Sequence, residues 1–371
     1  MIGINSERPA RKVAQVRSRI RSIAVTAGVG SKLPTVRHLC ESCSASLSTV
    51  DRALQDLEAQ GILERRHGSG IYVGAGAANT RICLLMGHDV MSSAEVSPFY
   101  PALRSRLAGI SRERHWEVTP HIASVTVDGE HRNQISKELR YALEAGFIDG
   151  IIATISLHGG AAANFPDIPV ASFLPTASTP STISIDYNAL ARLGVLELAA
   201  VGRRSIALIT ILGYARQSGF TDDLDGFAQG LQQCGLPWRS DRIIEAPAPI
   251  GQLNEETSAA WRGHGYAAMR RLLDSPDPPD AVVVNDDMAA MGVLQALQER
   301  PANVLVATHS NRGSSSETFL DLPCIVLEID PGYIADRLVA LLDDMLHGRL
   351  GSSRNERIFP RVLRSPALSC K

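Results

Sequence analysis

The sequence predicts an α/β protein in two unequal parts, and three observations predict it. The first 75 residues carry 11 Lys and Arg against 6 Asp and Glu, and the remainder carries 26 against 33, so a basic head precedes an acidic body. Residues 33–73 read LPTVRHLCESCSASLSTVDRALQDLEAQGILERRHGSGIYV: two short amphipathic helices, a strand, a basic turn and a second strand. From residue 81 onward, apolar strand-like runs alternate with helical patterns, which implies parallel sheets covered by helices.

Taken in order, residues 8–26 place Val13, Val16, Ile20 and Ile23 at helical spacing, and Gly28 and Gly30 stop the helix. Pro34 opens a second helix over 35–42. Ser46 is a plausible N-cap for a third, whose apolar stripe is Val50, Leu54 and Leu57, and Gly61 ends it. Residues 62–66 and 71–73 are short strands around the Gly68–Gly70 turn. Helix, helix and β-wing in that order form a DNA-reading unit, assigned to residues 1–74. Residues 75–80 complete the run GAGAANT (74–80), which reads as a flexible linker.

The body, residues 81–371, shows strand-like runs at 82–86, 118–123, 150–155, 169–173, 181–185, 205–212, 243–246, 281–285, 304–308 and 324–329. Helical patterns lie between most of them, among them 99–114, 135–145, 189–201, 226–234, 265–273, 288–298 and 333–347. Ten strands in this length suit two sheets better than one.

No run of apolar residues is long enough for a membrane span, and the N-terminus has charges without an apolar core, so no secretory signal is expected. The six cysteines are expected to be reduced thiols of a cytoplasmic protein. Cys40 and Cys43 form a lone CxxC on a helix; no partner set for zinc stands near, and neither metal nor cofactor is expected. No nucleophile elbow, P-loop, HExxH or dinucleotide fingerprint is present, so an enzyme is not expected.

A recognition helix enters the major groove by its N-terminus, where short polar side chains serve best. Ser46, Ser48 and Thr49 fit, with Arg52 one turn on. A wing needs cations and close backbone approach, and Arg65, Arg66, His67, Gly68 and Gly70 supply them. Arg37 on the second helix is placed for a flanking phosphate. These residues and spacings make residues 33–73 resemble the winged helix of the GntR family: LPTVRHL resembles LPSxRxL, SLSTVDRAL resembles SRTTVRRAL, and LEAQGILERRHGSGIYV resembles LExxGLIxRRxGxGTFV. The resemblance implies DNA contact by Arg37, Ser46, Ser48, Thr49, Arg52, His67, Gly68 and Gly70. Leu47 and Asp51 depart from it. Leu47 cannot grip guanine as an arginine does, although it can touch a thymine methyl.

Residues 81–365 resemble the LacI/GalR regulators and their two-lobed periplasmic-binding-protein-like fold, through TISIDYNALARLGVLELAAVGRRSIALI, LDGFAQGLQQCGL, PDPPDAVVVNDDMAAMGVLQAL and VLEIDPGYIADRLVALLDDMLHG. Two such lobes leave a cleft at the C-terminal ends of their strands. Phe99, Tyr100, Asp186, Asp286, His309 and Asn311 fall there as candidate ligand contacts. Asp186 and Asp286 read equally as helix caps, and Tyr100 as core. Asp223 stands where the family has a ligand-gripping Arg, and Arg216 is a candidate replacement. Asp222, Asp223 and Asp225 either favour a cationic or polyhydroxylated ligand or face solvent.

The function expected is a DNA-binding transcription regulator, a repressor, controlled by a small ligand such as a sugar or related metabolite. Its partners are then a double-stranded DNA operator, the effector and a second copy of the chain, paired through the body. Cleft closure would alter head spacing through residues 74–80. A solute-binding protein, or an architectural DNA-binding protein with a vestigial pocket, is the alternative.

Overall fold

The computed structural model describes residues 7–87, 97–114, 116–127, 131–144, 146–154, 168–173, 181–213, 216, 219–246, 257–313, 323–349 and 354–364. In the head, α1 (Glu7–Ala27), α2 (Val36–Cys43) and α3 (Leu47–Ala59) enclose one small core. Val16, Ile20 and Ala24 bury the stripe of α1 against Val50, Ala53, Leu54 and Leu57 of α3, the i, i+3, i+4, i+7 spacing of an amphipathic helix. Thr35 caps α2 by accepting from the His38 N–H, and Ser46 caps α3 by accepting from the Thr49 N–H, both at 3.4 Å. The wing is an antiparallel hairpin of β1 (Leu63–Arg66) and β2 (Gly70–Val73), in register from Leu63 opposite Val73 to Arg66 opposite Gly70. Gly68 at φ 70° makes its turn.

The stretch that reads as a flexible linker has a definite conformation. Ala75–Ala78 is a 3-10 turn, with Ala77 buried in the head core. A Cβ on Gly74 would lie 2.4 Å from the Gly61 carbonyl oxygen, and one on Gly76 2.8 Å from the Gln60 and Gly61 oxygens. Glycine is required there for close backbone approach, not for freedom, and composition alone cannot separate the two.

The body holds two six-stranded sheets. The first has the order β15–β9–β8–β7–β3–β4 and is parallel throughout: β3 (Thr80–Met86), β4 (Trp116–Ile122), β7 (Gly150–Ala153), β8 (Val170–Phe173), β9 (Thr182–Ile185) and β15 (Asn355–Ile358). The second has the order β11–β10–β12–β13–β14–β16: β10 (Ile206–Thr210), β11 (Ile243–Glu245), β12 (Ala281–Val284), β13 (Leu305–Asn311), β14 (Cys324–Ile329) and β16 (Arg361–Arg364). Only β16 in it runs antiparallel, against β14. β7, β8, β9, β10, β12 and β13 are buried along their whole length, as expected of parallel strands covered on both faces.

Helices α4 (Phe99–Arg114), α5 (Lys137–Glu144) and α10 (Pro331–Leu346) cover the first sheet. Helices α6 (Tyr187–Ala200), α7 (Asp222–Gln233), α8 (Thr257–Leu273) and α9 (Asp287–Glu299) cover the second. The chain therefore crosses between lobes after β9, after β14 and after β15. α8 and α9 cross at two reciprocal glycines: a Cβ on Gly265 would meet the Ala289 oxygen at 1.9 Å, and one on Gly292 the Arg262 oxygen at 1.9 Å.

Three features depart from the sequence reading. A hairpin of β5 (Ser124–Val127) and β6 (His131–Gln134) stands beside the first sheet. Strands β15 and β16 each complete a different sheet, an exchange that short polar strands do not announce. His309 to Asn311, expected after the strand end, continue β13, because β14 runs alongside and pairs them as far as Ile329.

Candidate functional site

Two faces carry the candidate residues. On the head, Ser46, Leu47 and Ser48 are exposed at the first turn of α3; Thr49 is half-buried, and Arg52 is exposed one turn further along. The Ser46 hydroxyl lies 2.8 Å from that of Thr49 and 3.1 Å from that of Ser48. Capping α3 thus already occupies part of this polar tip. Arg37 is exposed on α2, 3.5 Å from Glu41. At the wing, His67, Gly68 and Gly70 form an exposed tip. Arg66 lies over the Tyr72 ring at 4.2 Å, so it is held against the hairpin. Arg65 turns back to α3, pairing with Asp51 at 2.7 Å and Glu58 at 3.3 Å. The Asp51 departure therefore has a structural partner. Lys32, which the sequence reading passed over, bridges to Tyr72 and lies 5.9 Å from its ring. It adds a cation to the wing that no local motif marks.

In the body, Asp186 and Asp286 follow β9 and β12, and each accepts from the backbone N–H three residues on, Ala189 and Ala289, at 2.8 Å. Both cap helices, as the alternative reading had it. Asp287, adjacent, does more. Its carboxylate accepts from the Ser97 hydroxyl at 2.8 Å and the Asn311 amide at 2.7 Å. Ser97 opens α4 in the first lobe, and Asp287 and Asn311 stand in the second, so this hydrogen bond joins the lobes. Burial and the Asp287 charge together push Asp286 up to about 8. His309 is buried, with neither ring nitrogen in hydrogen-bond geometry. Burial pulls its pKa down against the opposite pull of Asp287 and Asn311, and the net direction is downward.

The aromatic candidates divide. Phe99 is 5% exposed, stacks on Phe173 at 4.7 Å, and belongs to the core of the first lobe. Tyr100 is half-buried, edge-on to Phe99 at 5.2 Å.

Asp223 does not face solvent. It is fully buried and accepts from Arg216 at 2.7 and 2.9 Å, from the Thr210 hydroxyl at 2.7 Å and from the Asn285 amide at 3.2 Å. Arg216 also donates to Glu245 at 2.6 Å and to the Phe220 carbonyl at 2.8 Å. It stands beside the strand ends, but as the counter-ion of Asp223, and it does not replace the missing arginine as a free cation. Asn285 and Thr210, which the sequence reading did not single out, tie β12 and β10 to this network. Among the described residues, no group of three or more His, Cys, Asp or Glu could hold a metal ion, and no helix is long and apolar enough to cross a membrane.

Comparison with known proteins follows the same division. Residues 11–73 match the model of bacterial regulatory proteins, gntR family, and residues 195–365 match a periplasmic binding protein-like domain. The repressor YtrA of Bacillus subtilis is 32% identical over 104 residues, 28% of this chain and 75% of that one. The chain belongs to the gntR family of bacterial regulatory proteins. The resemblance read from its wing is thereby sustained. This gntR-family member is 25% identical over 343 residues to the repressor MelR of Bacillus subtilis, covering 89% of this chain and 92% of that one. Catabolite control protein A of Priestia megaterium is 29% identical over 140 residues, and the chain spans 38% of its length. Among solved structures, the regulator CelR in complex with cellobiose superposes with a TM-score of 0.59 at 16% identity, covering 89% of this chain and 98% of that one; this likeness is one of fold. The gntR-family head on a LacI-type body is that of a ligand-regulated DNA-binding repressor.

Proposed function

We propose that the protein binds an operator as a homodimer in the cytoplasm, through Arg37, Ser46, Ser48, Thr49, Arg52 and the wing tip, and releases it when a small polar molecule occupies the interlobe cleft. The observation that carries this reading is the Ser97–Asp287–Asn311 contact beside the buried His309: a polar cluster at the strand ends whose hydrogen bonds already span the two lobes. Asp286, His309 and Asn311 are the residues proposed to meet the effector.

The chemistry of the cluster favours a neutral, polyhydroxylated effector such as a sugar. Arg216 is neutralised by Asp223 and Glu245. The segments 88–96, 155–167, 174–180, 247–256 and 314–322, which follow strand ends in the chain, contain no Lys or Arg. A phosphate or carboxylate would meet the Asp287 carboxylate and an imidazole whose charged form burial disfavours. CelR, solved with cellobiose, shares the fold.

A thermal-shift screen against sugars, polyols, sugar phosphates, amino acids and nucleosides tests the proposal. A ligand at about 100 times its Kd stabilises by about 2.7 kcal/mol. The expected hit is an uncharged polyol or sugar that also weakens DNA binding. A sugar phosphate as the strongest hit would refute the chemical assignment.

A further inference from the structure

The head does not hang from the body; it is docked on it. Asp149 precedes β7, and its carboxylate accepts from both terminal nitrogens of Arg21 on α1, one of them at 2.6 Å, and from the Arg81 N–H at 2.7 Å. Arg81, the second residue of β3, donates in turn to the Gln60 side chain of the head and to the Gly146 carbonyl. Arg17, buried on α1, pairs with Asp56 and lies over the Phe147 ring at 4.2 Å. The side chains of Arg21, Arg81 and Asp149 are only 12–15% exposed.

Asp149 thus stands between two buried guanidinium groups. Burial and the Arg21 charge lower the Arg81 pKa, while Asp149 holds it up. Without the carboxylate, the two cations would face each other across the junction. A crevice of about 340 Å³ lies beside them, bounded by Gln60 and Asn79 on one side and Glu117 and His121 on the other.

The place of these contacts gives them a consequence. β3 and β7 are neighbours, with Ile82 opposite Gly150. Arg81 and Asp149 sit at their N-terminal ends, and their C-terminal ends open on the ligand cleft. A rotation of the first lobe then carries the head with it.

We infer that Asp149 is the positioning residue that locks the DNA-reading head to the first lobe, so that operator affinity follows lobe rotation through this ion cluster and not through a slack linker. This rests on the regulator reading above. The test compares full-length wild type, Asp149→Asn and Asp149→Glu by hydrogen exchange, and by affinity for duplexes recovered from a random library with the wild type. Asp149→Asn should speed exchange in 75–81 at least tenfold while leaving the core of α3 unchanged. It should keep single half-site binding within twofold, weaken two-half-site binding at least tenfold, and lose the preference for one half-site spacing. Asp149→Glu should retain most of the wild-type behaviour. Unchanged exchange, or exchange in α3 rising together with 75–81, overturns the inference. So does a loss of half-site and two-half-site binding in equal measure. A wild type that recovers no duplex would sink the regulator reading instead, and the exchange comparison would still decide for or against docking.

Discussion

Arg216→Met should destabilise the second lobe well beyond what an ordinary surface arginine would cost. The guanidinium meets both oxygens of Asp223, and Asp223 is fully buried. Without Arg216 the carboxylate keeps two neutral donors, Thr210 and Asn285, but loses its cation. Breaking a buried pair from one side costs about 3–5 kcal/mol, because the remaining charge stays out of water. Arg216 retains 19% side-chain exposure, which lets some water reach the site and places the expected loss at about 3 kcal/mol. Methionine preserves much of the arginine stem, so the loss reports charge more than volume. With a urea slope of about 2 kcal/mol per molar, the midpoint should fall by about 1.5 M. Fluorescence can follow it, since Trp238 and Trp261 both belong to this lobe. The double variant Arg216→Met with Asp223→Asn should recover at least half of the loss, because no charge is then stranded. Wild-type unfolding of Arg216→Met together with lost effector binding would refute the reasoning, and would make Arg216 the cation of the ligand.

Other expectations follow from the same contacts. Asp286 sits at about 8 in the folded chain against an ordinary 3.8, so the folded state holds a proton that the unfolded state has lost; stability should fall as pH rises across that interval. Asp286→Asn keeps the cap on Ala289 and should flatten the slope in urea titrations; a slope identical to wild type would assign it to other groups. Ser97→Ala removes the donor between the lobes and should weaken effector binding about fivefold, equivalent to roughly 1 kcal/mol, with a loss of folding stability of similar size. Gly292→Ala should cost about 1–3 kcal/mol by driving α9 off α8, whereas Gly109→Ala, in open space within α4, should gain about 0.5–1 kcal/mol; equal effects in thermal denaturation would contradict the close crossing. Leu47→Arg should move the base preference selected from a random duplex library from A·T toward G·C, since Leu47 is 65% exposed at the tip of α3; an unchanged preference would exclude Leu47 from the groove.

The head was legible because its signals are local. The cap at Ser46, the stripe on α3 and the Gly68 turn are each set within a few residues. The parallel strands were legible for a similar reason, since double-sided burial forces a continuous apolar run such as Ala281–Val284. What escaped depends on partners distant in sequence. Asp223 reads as one of three acids that either meet a ligand or face solvent, and only the fold brings Arg216, Thr210 and Asn285 to it. β15 is four residues, NERI, with one buried side chain; its place beside β9 follows from the second lobe crossing, which no local pattern encodes. Asp149 and Arg21 lie 128 residues apart, and neither stands in a motif.

The GAGAANT segment and the Asp149 cluster bear on the same question, how a signal leaves the cleft. A flexible tether of seven residues would let each head adopt many orientations, and a lobe rotation would be averaged away before it reached DNA. Two features remove that slack. Gly74 and Gly76 bring the backbone against Gly61, which fixes the exit of the wing, and Asp149 clamps α1 to the start of β7. The head and first lobe then turn as one body, and the moving joint lies at the crossings between the lobes, where Ser97 meets Asp287. An effector that changes that contact need supply only the 1–3 kcal/mol typical of coupling between sites, because none of it is lost in ordering a linker.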